Sequence, residues 1–277
     1  MLGVILHLTP KRFLSRVVGF FVHLPLPSRL SRASMRWFAN RYRIDLNEAE
    51  LPLEQYRSIG DLFVRRLKPG LRPLGTSELV HPADSRITQM GSLEKGDLIQ
   101  AKEKTYRLKD FLGALDSAPY SRGAFATYYL CPTDYHRVHS PVSGKVRQVV
   151  YLPGALWPVN EWSTSNIDNL FSINERVVVE IATSKGLVAV VLVGATNVGQ
   201  MSLSFWPQFR TNSAQQMAPL VRDFKGEVSL EKGDELGAFH MGSTVVMCLS
   251  QSALPQNWNQ LPVGHQVRVR ADFDQHV

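Results

Sequence analysis

The sequence predicts a mainly β protein of the α+β class: an antiparallel β-rich body with barrel-like sheets, preceded by amphipathic helices. Three observations carry this expectation. After Pro69-Gly70, stretches rich in Val, Ile, Leu and Tyr alternate with turn signals. Helical periodicity is concentrated before that point. The positive charge of the chain is concentrated there too. The chain has 277 residues and a hydrophobic share of 44%, enough for a sizeable core. Residues 1–70 are expected to form a basic helical segment and residues 71–277 a β-rich domain.

The first helix is expected over residues 12–24, RFLSRVVGFFVHL, where Arg12 and Arg16 interleave with Phe13, Leu14, Val17, Val18, Phe20, Phe21, Val22 and Leu24. Pro25 and Pro27 stop it, because each lacks a backbone donor and restricts the residue before it. A second helix runs from about Ser31 to Tyr42. A third is predicted near Leu53–Leu67, where Tyr56, Ile59, Leu62, Phe63 and Leu67 recur at helical spacing. Strands are then expected at Phe125–Leu130, Gly144–Leu152, Arg176–Ala182, Leu187–Val193, Glu227–Leu230, Thr244–Leu249 and Gln266–Ala271. A short helix is expected near Leu108–Leu115. Glu231-Lys232-Gly233-Asp234 reads as a hairpin turn supporting antiparallel pairing.

Charge narrows the function. Residues 1–44 hold Lys11, Arg12, Arg16, Arg29, Arg32, Arg36, Arg41 and Arg43 and no acid, within a chain of formal net charge +7. Such a segment seeks an anionic surface. The interleaved Phe and Val favour lipid over nucleic acid, for which no reader module is evident. No apolar run reaches the roughly 18 residues that cross a bilayer, and no signal-peptide cleavage site follows the first helix. The reading is an interfacial helix on an anionic membrane; its bland counterpart is a helix pair packed on its own protein with arginines outward. Cys131 and Cys248 lie in no CxxC and read as reduced, buried thiols.

Candidate chemistry lies in three places. Tyr129–Pro141 carries His136 and His139 between two prolines, which fix the backbone. HxxH can signal a metal, but no third ligand stands nearby at zinc-like spacing. The functional reading makes one histidine a general base and places the other at the substrate; a proline-bounded loop with backbone-capping histidines is the structural alternative. Asp84, in His81-Pro82-Ala83-Asp84-Ser85, could orient a histidine or merely cap its turn. Gly242-Ser243 sits where a turn enters an apolar strand, and Ser243 supplies a nucleophile. Together Asp84, a histidine and Ser243 provide the three roles of a relay. The G-x-S-x-G elbow of α/β-hydrolases is absent.

With these pieces in order, the chain resembles the phosphatidylserine decarboxylase family in its bacterial membrane-associated form. The resemblance rests on His81–Ser85, Tyr129–Pro141, Phe171-Ser172-Ile173-Asn174-Glu175-Arg176, Val193–Gly199 and Lys232–Thr244. Two positions depart from the family pattern. Met241 stands where Leu is common, and Ser85 follows Asp84 where Gly is usual.

The resemblance implies a precursor that cleaves its own Gly242–Ser243 bond into fragments 1–242 and 243–277. Ser243 would become a covalent pyruvoyl cofactor, with no pyridoxal phosphate and no metal. It implies His139 as the base, Asp84 as its orienting acid, and His136 at the substrate. Asn197 would belong to a turn beside the pocket. The implied reaction converts phosphatidylserine to phosphatidylethanolamine and carbon dioxide through an imine with the pyruvoyl ketone, a carbanion-stabilising role of the kind cofactors supply. The implied location is peripheral, on the cytoplasmic face of a bacterial inner membrane. A homodimer of the processed heterodimer is a further implication, which nothing in the residue pattern establishes. Two other readings stay open: a serine hydrolase using Ser243, His139 and Asp84 without self-cleavage, and a non-enzymatic β-rich membrane-binding protein.

Overall fold

A computed structural model describes residues 11–24, 26–93, 96–101, 104–196, 200–212, 218–241, 243–256, 258 and 263–274. The N-terminal region is helical. Helix α1 spans Lys11–His23 and α2 spans Ser28–Tyr42, with Pro27 at the position that starts α2. Arg43 ends α2 in a left-handed conformation (φ 53°), its N–H donating to Ala39 O and Asn40 O. Met35, Phe38 and Ala39 of α2 pack with Ile44, Tyr56, Leu62 and Phe63 in a small core. The opposite face of this region leaves Phe20, Phe21, Leu30 and Trp37 exposed, the two phenylalanines and the tryptophan at 64% each. Among the described residues no helix is long and apolar enough to cross a membrane.

The long third helix expected over 53–67 is broken. Leu53–Gln55 makes one 3₁₀ turn, Tyr56 is extended, and α3 spans only Ile59–Phe63. Ser58 accounts for the restart. Its hydroxyl accepts from Asp61 N at 3.1 Å, capping a new helix rather than continuing an old one. Leu67 instead bridges to Ala49 in extended pairing.

The body is mostly antiparallel sheet. Its strands are β1 (Ser85–Ser92), β2 (Asp97–Ala101), β3 (Lys104–Arg107), β4 (Ala124–Leu130), β5 (Arg137–His139), β6 (Gly144–Leu152), β7 (Arg176–Ala182) and β8 (Leu187–Gly194). Then follow β9 (Met201–Leu203), β10 (Trp206–Arg210), β11 (Leu220–Leu230), β12 (Glu235–Phe239), β13 (Ser243–Leu249) and β14 (Gln266–Val267). Short helices α4 (Leu108–Leu112), α5 (Glu161–Asn166) and α6 (Leu170–Ile173) connect some of them. Eight strands form one sheet in the order β11-β6-β7-β8-β13-β4-β1-β14, and four form a second in the order β10-β9-β12-β5. β7 and β8 are runs of Val, Leu and Ile buried along nearly their whole length, as strands in the middle of a core should be.

Three expectations are corrected here. The sheets do not close into a barrel. The large sheet ends instead in the two-residue β14 and in β11, whose outer stretch carries Arg222, Asp223 and Lys225 exposed, charges that discourage edge pairing. Glu231–Asp234 forms a tight turn with Gly233 at φ 85°, but not a hairpin. β11 pairs with β6 in the large sheet, whereas β12 pairs with β5 and β9 in the small one, so the turn carries the chain between sheets. The strand expected over 266–271 is cut to two residues, because the Val269 N–H is taken by the Asp84 carboxylate at 2.8 Å.

Candidate active site

The chain passes back from the small sheet to the large one between β12 and β13. β12 leads in from the small sheet. Ser243 opens β13 in the middle of the large one, its backbone in register with Leu130 of β4 and Gly194 of β8. The crossing is tied down on its approach: Phe239 N donates to His136 O at 3.0 Å and His240 N to Gln200 O at 2.8 Å. Met241 has φ 136°, a conformation L side chains rarely adopt. Its side chain packs on the helical core around Phe63. Gly242 and Asn197, both singled out in the sequence, lie outside the described residues.

His139 closes β5. Its N–H donates to Pro82 O at 2.8 Å, which ties it to the segment bearing Asp84. Its Nδ1 lies 2.8 Å from Gly233 O. A carbonyl only accepts, so Nδ1 carries the proton and Nε2 holds a lone pair. The Tyr135 hydroxyl lies 3.3 Å from that Nε2. Burial lowers the proton affinity of the ring below the ordinary histidine value, opposed in part by the Gly233 bond and by the charges of Glu235 and Asp84. The Tyr135 hydroxyl therefore donates to Nε2; a neutral imidazole with its lone pair on Nε2 is the form a general base needs once that hydroxyl yields the atom.

Asp84 is 3% exposed and its lone pairs are engaged. Arg72 donates to it through Nε at 3.0 Å and Nη2 at 2.6 Å, and Val269 N donates at 2.8 Å. Arg268 Nη1 stands 3.5 Å away. Arg72 also binds Glu48, at 2.9 Å. Among the described residues no hydrogen bond joins the Asp84 carboxylate to the His139 ring. The two are linked through backbone, by the Pro82 carbonyl, and through the field of the carboxylate.

His136 is fully buried and its ring stacks on Phe63, with centroids 4.0 Å apart and planes 13° apart. Among the described residues neither ring nitrogen has a hydrogen-bond partner. Burial, and then the nearby Arg65 cation, push its proton affinity well below the ordinary value, so the ring is neutral. Beside His139 lies a cavity of about 390 Å³ lined by Tyr135, His139, Arg66, Lys68, Arg270 and Glu235. Among the described residues no group of three or more His, Cys, Asp or Glu could hold a metal ion.

Sequence reasoning missed the Arg72 clamp, the Tyr135 hydroxyl and Arg65. Tyr135 was visible, directly before His136 and four residues before His139. Arg65 left no such signal, since Arg66 beside it is exposed.

Comparison with known proteins places the chain in a family. The family model described as Phosphatidylserine decarboxylase matches residues 59–272. A phosphatidylserine decarboxylase proenzyme of Anaeromyxobacter sp. (strain K) is 44% identical over 246 residues, covering 87% of this chain and 86% of that protein. Proteins of the same name from Myxococcus xanthus (strain DK1622) and Shewanella frigidimarina (strain NCIMB 400) are 41% and 37% identical. They cover 88% and 96% of this chain, and 87% and 95% of their own lengths. The chain belongs to the phosphatidylserine decarboxylase family.

Proposed function

We propose that the chain is a precursor that cuts its own Gly242–Ser243 bond and then decarboxylates phosphatidylserine at the group left on residue 243. One observation carries the reading beyond family membership. Met241, one residue before the Gly242–Ser243 bond, stands at φ 136°, and Phe239 on the approach is fastened to the backbone of His136. Backbone strain of this kind amounts to about 1–3 kcal/mol and concentrates at functional sites.

Self-cleavage needs a base and a nucleophile. His139, with Nδ1 bonded to Gly233 O, would take the Ser243 hydroxyl proton at Nε2 as the Tyr135 hydroxyl gives up that atom. The serine oxygen then attacks the Gly242 carbonyl carbon, and the amide becomes an ester as the Ser243 nitrogen takes a proton. Loss of the Ser243 α-proton expels the Gly242 carboxylate and leaves dehydroalanine at residue 243. Water adds to its imine tautomer and ammonia leaves, which gives a pyruvoyl group. Tyr135 holds the histidine ring. Asp84, clamped by Arg72, adds negative charge that favours the transient imidazolium.

The residues present suit such a group. His136 offers two buried ring nitrogens, without partners among the described residues, beside an aromatic face. A pyruvoyl group supplies a ketone for the substrate amine and an electron sink for the pair left by carbon dioxide. Neutral His136 would stand at the substrate as a hydrogen-bonding group, and the apolar Phe63 wall strips water from the carboxylate, which destabilises it relative to the less polar transition state.

The arginine-rich helical region, with Phe20, Phe21, Leu30 and Trp37 outward, fits contact with an anionic bilayer, as a lipid substrate requires. Intact-mass measurement tests the central claim. The purified chain should yield two fragments, the smaller beginning at a blocked residue 243. Ser243→Ala should stay at the 31.1 kDa of the whole chain and release no carbon dioxide from phosphatidylserine vesicles. A wild-type chain that remains whole, or a Ser243→Ala chain that cleaves, would overturn it.

A further inference from the structure

Under the function proposed above, the carbon that loses carbon dioxide is left with an electron pair and must take a proton. His136 is a poor source. A buried neutral imidazole that gave up its N–H would be left as an unpaired anion. A second cavity lies at the head of β13. It holds about 690 Å³, within the range of small-molecule sites, and its lining includes Arg86, Tyr129, Thr244, Trp162, Val263 and Gly264. Thr244 is bonded to residue 243, so the cavity is one covalent step from the reactive position. Thr244 stands directly opposite Tyr129, and Tyr129 directly opposite Arg86. Side chains so paired share a face of the sheet with Cβ atoms about 5 Å apart, and an aromatic ring also reaches the diagonal neighbours. Tyr129 is half-buried, and its hydroxyl has no hydrogen-bond partner among the described residues. The hydroxyls of Tyr120 and Tyr151, by contrast, are spent on Glu180 and Glu175.

We propose that Tyr129 is the catalytic acid of decarboxylation, delivering its hydroxyl proton from this cavity to the substrate carbon that has lost carbon dioxide. This rests on the function proposed above. The O–H bond breaks, a C–H bond forms with the pair that carbon dioxide left behind, and water entering the cavity reprotonates the phenolate. Burial tightens the hold of Tyr129 on its proton, the neighbouring Cys131 adds to this, and the Arg86 cation opposes it, so the phenol is whole at neutral pH. Arg86 is also placed to meet the phenolate while it lasts. Its own ion pair is loose, 3.3 Å to a Glu161 side chain that is 90% exposed, so little is lost when the guanidinium turns to a closer anion. The identity of the acid decides the product. The electron pair is shared with the carbon of residue 243 to which the substrate nitrogen is joined. A proton placed there instead would, after hydrolysis, leave the nitrogen on residue 243 as an alanyl terminus and free the head group as an aldehyde.

The test reads where that proton goes. Processed Tyr129→Phe should form phosphatidylethanolamine with kcat down about a hundredfold and KM little changed. During turnover its smaller fragment should acquire the mass of an alanyl rather than a pyruvoyl terminus, more often per turnover than in wild type. A residue that merely shapes the cavity would lower the rate without redirecting the proton. Cys131→Ser, which removes the neighbouring thiol, should behave as wild type. Self-cleavage at the wild-type rate reports that each variant has folded. A fluorinated tyrosine placed at position 129 decides the matter if Tyr129→Phe does not fold, and it needs no reactive group. In a Ser243→Ala chain its fluorine resonance should shift on addition of glycerophosphoethanolamine. An unmoved resonance, a wild-type kcat in Tyr129→Phe, a loss of rate without the alanyl terminus, or that terminus arising in Cys131→Ser overturns the proposal. Failure of the wild-type chain to cleave or to release carbon dioxide would instead sink the underlying function.

Discussion

At His139 the direction of one hydrogen bond fixes the chemistry of the ring. Because Nδ1 donates to Gly233 O, Nε2 is the basic atom, and burial holds the proton affinity of the ring below its ordinary value of 6.5. A depressed histidine remains unprotonated as pH falls through 6.5 and is lost as a base only below that. The self-cleavage rate should therefore stay level down through pH 6.5 and decline at lower pH, followed by gel densitometry of freshly folded precursor. A midpoint at or above 6.5 would exclude His139 as the base. Two residues before Ser243, Met241 carries a second testable feature. Its φ of 136° is accessible to glycine at little cost. Met241→Gly should relax the precursor and slow cleavage, by up to about tenfold for 1.4 kcal/mol of released strain. A rate equal to wild type would mean that the strain does not bear on the bond.

The elements that deliver the chain to this bond depend on close backbone approach. A Cβ on Gly237 would stand 2.3 Å from Ser202 O in the neighbouring β9, an atom that cannot rotate away. Gly237→Ala should push β12 off β9 and misplace the crossing. We expect a stability loss of about 1–3 kcal/mol in urea titration together with slower cleavage, whereas unchanged stability would refute the close approach. This dependence was invisible in the sequence, and the contrast with what was visible is physical. β6 and β7 keep the bounds expected for them, Gly144–Leu152 and Arg176–Ala182, because burial and turn residues are local signals. The helix expected over 53–67 failed because the Ser58 cap outweighed apolar spacing. The pairing of β13 between β4 and β8 could not be read, since partners far apart in sequence leave no mark on either strand. The site divides the same way. The histidines, Asp84 and Gly242-Ser243 were legible from residue type and turn context. Arg72 and Arg65 were not, because a charge met in sequence is taken as solvated unless something says otherwise.

At the scale of the molecule, the position of the cut decides what cutting does. β13 is a central strand, in register with β4 and with β8 from Ser243 to Leu249. Val245, Val246, Met247, Cys248 and Leu249 are fully buried. At roughly 1.5–3 kcal/mol for each large apolar side chain, these residues alone hold a segment of the smaller fragment against dissociation. The backbone bonds on both sides add to that hold. Hydrolysis of one peptide bond at the head of such a strand removes connectivity and little else. The fragments 1–242 and 243–277 should therefore co-elute in native size exclusion and separate in concentrated denaturant, where β13 leaves the sheet. The new terminus would stay seated between Leu130 and Gly194, which is what a reactive group at residue 243 requires if it is to meet every substrate in one orientation. Recovery of the smaller fragment as a free peptide under native conditions would show that β13 does not anchor it.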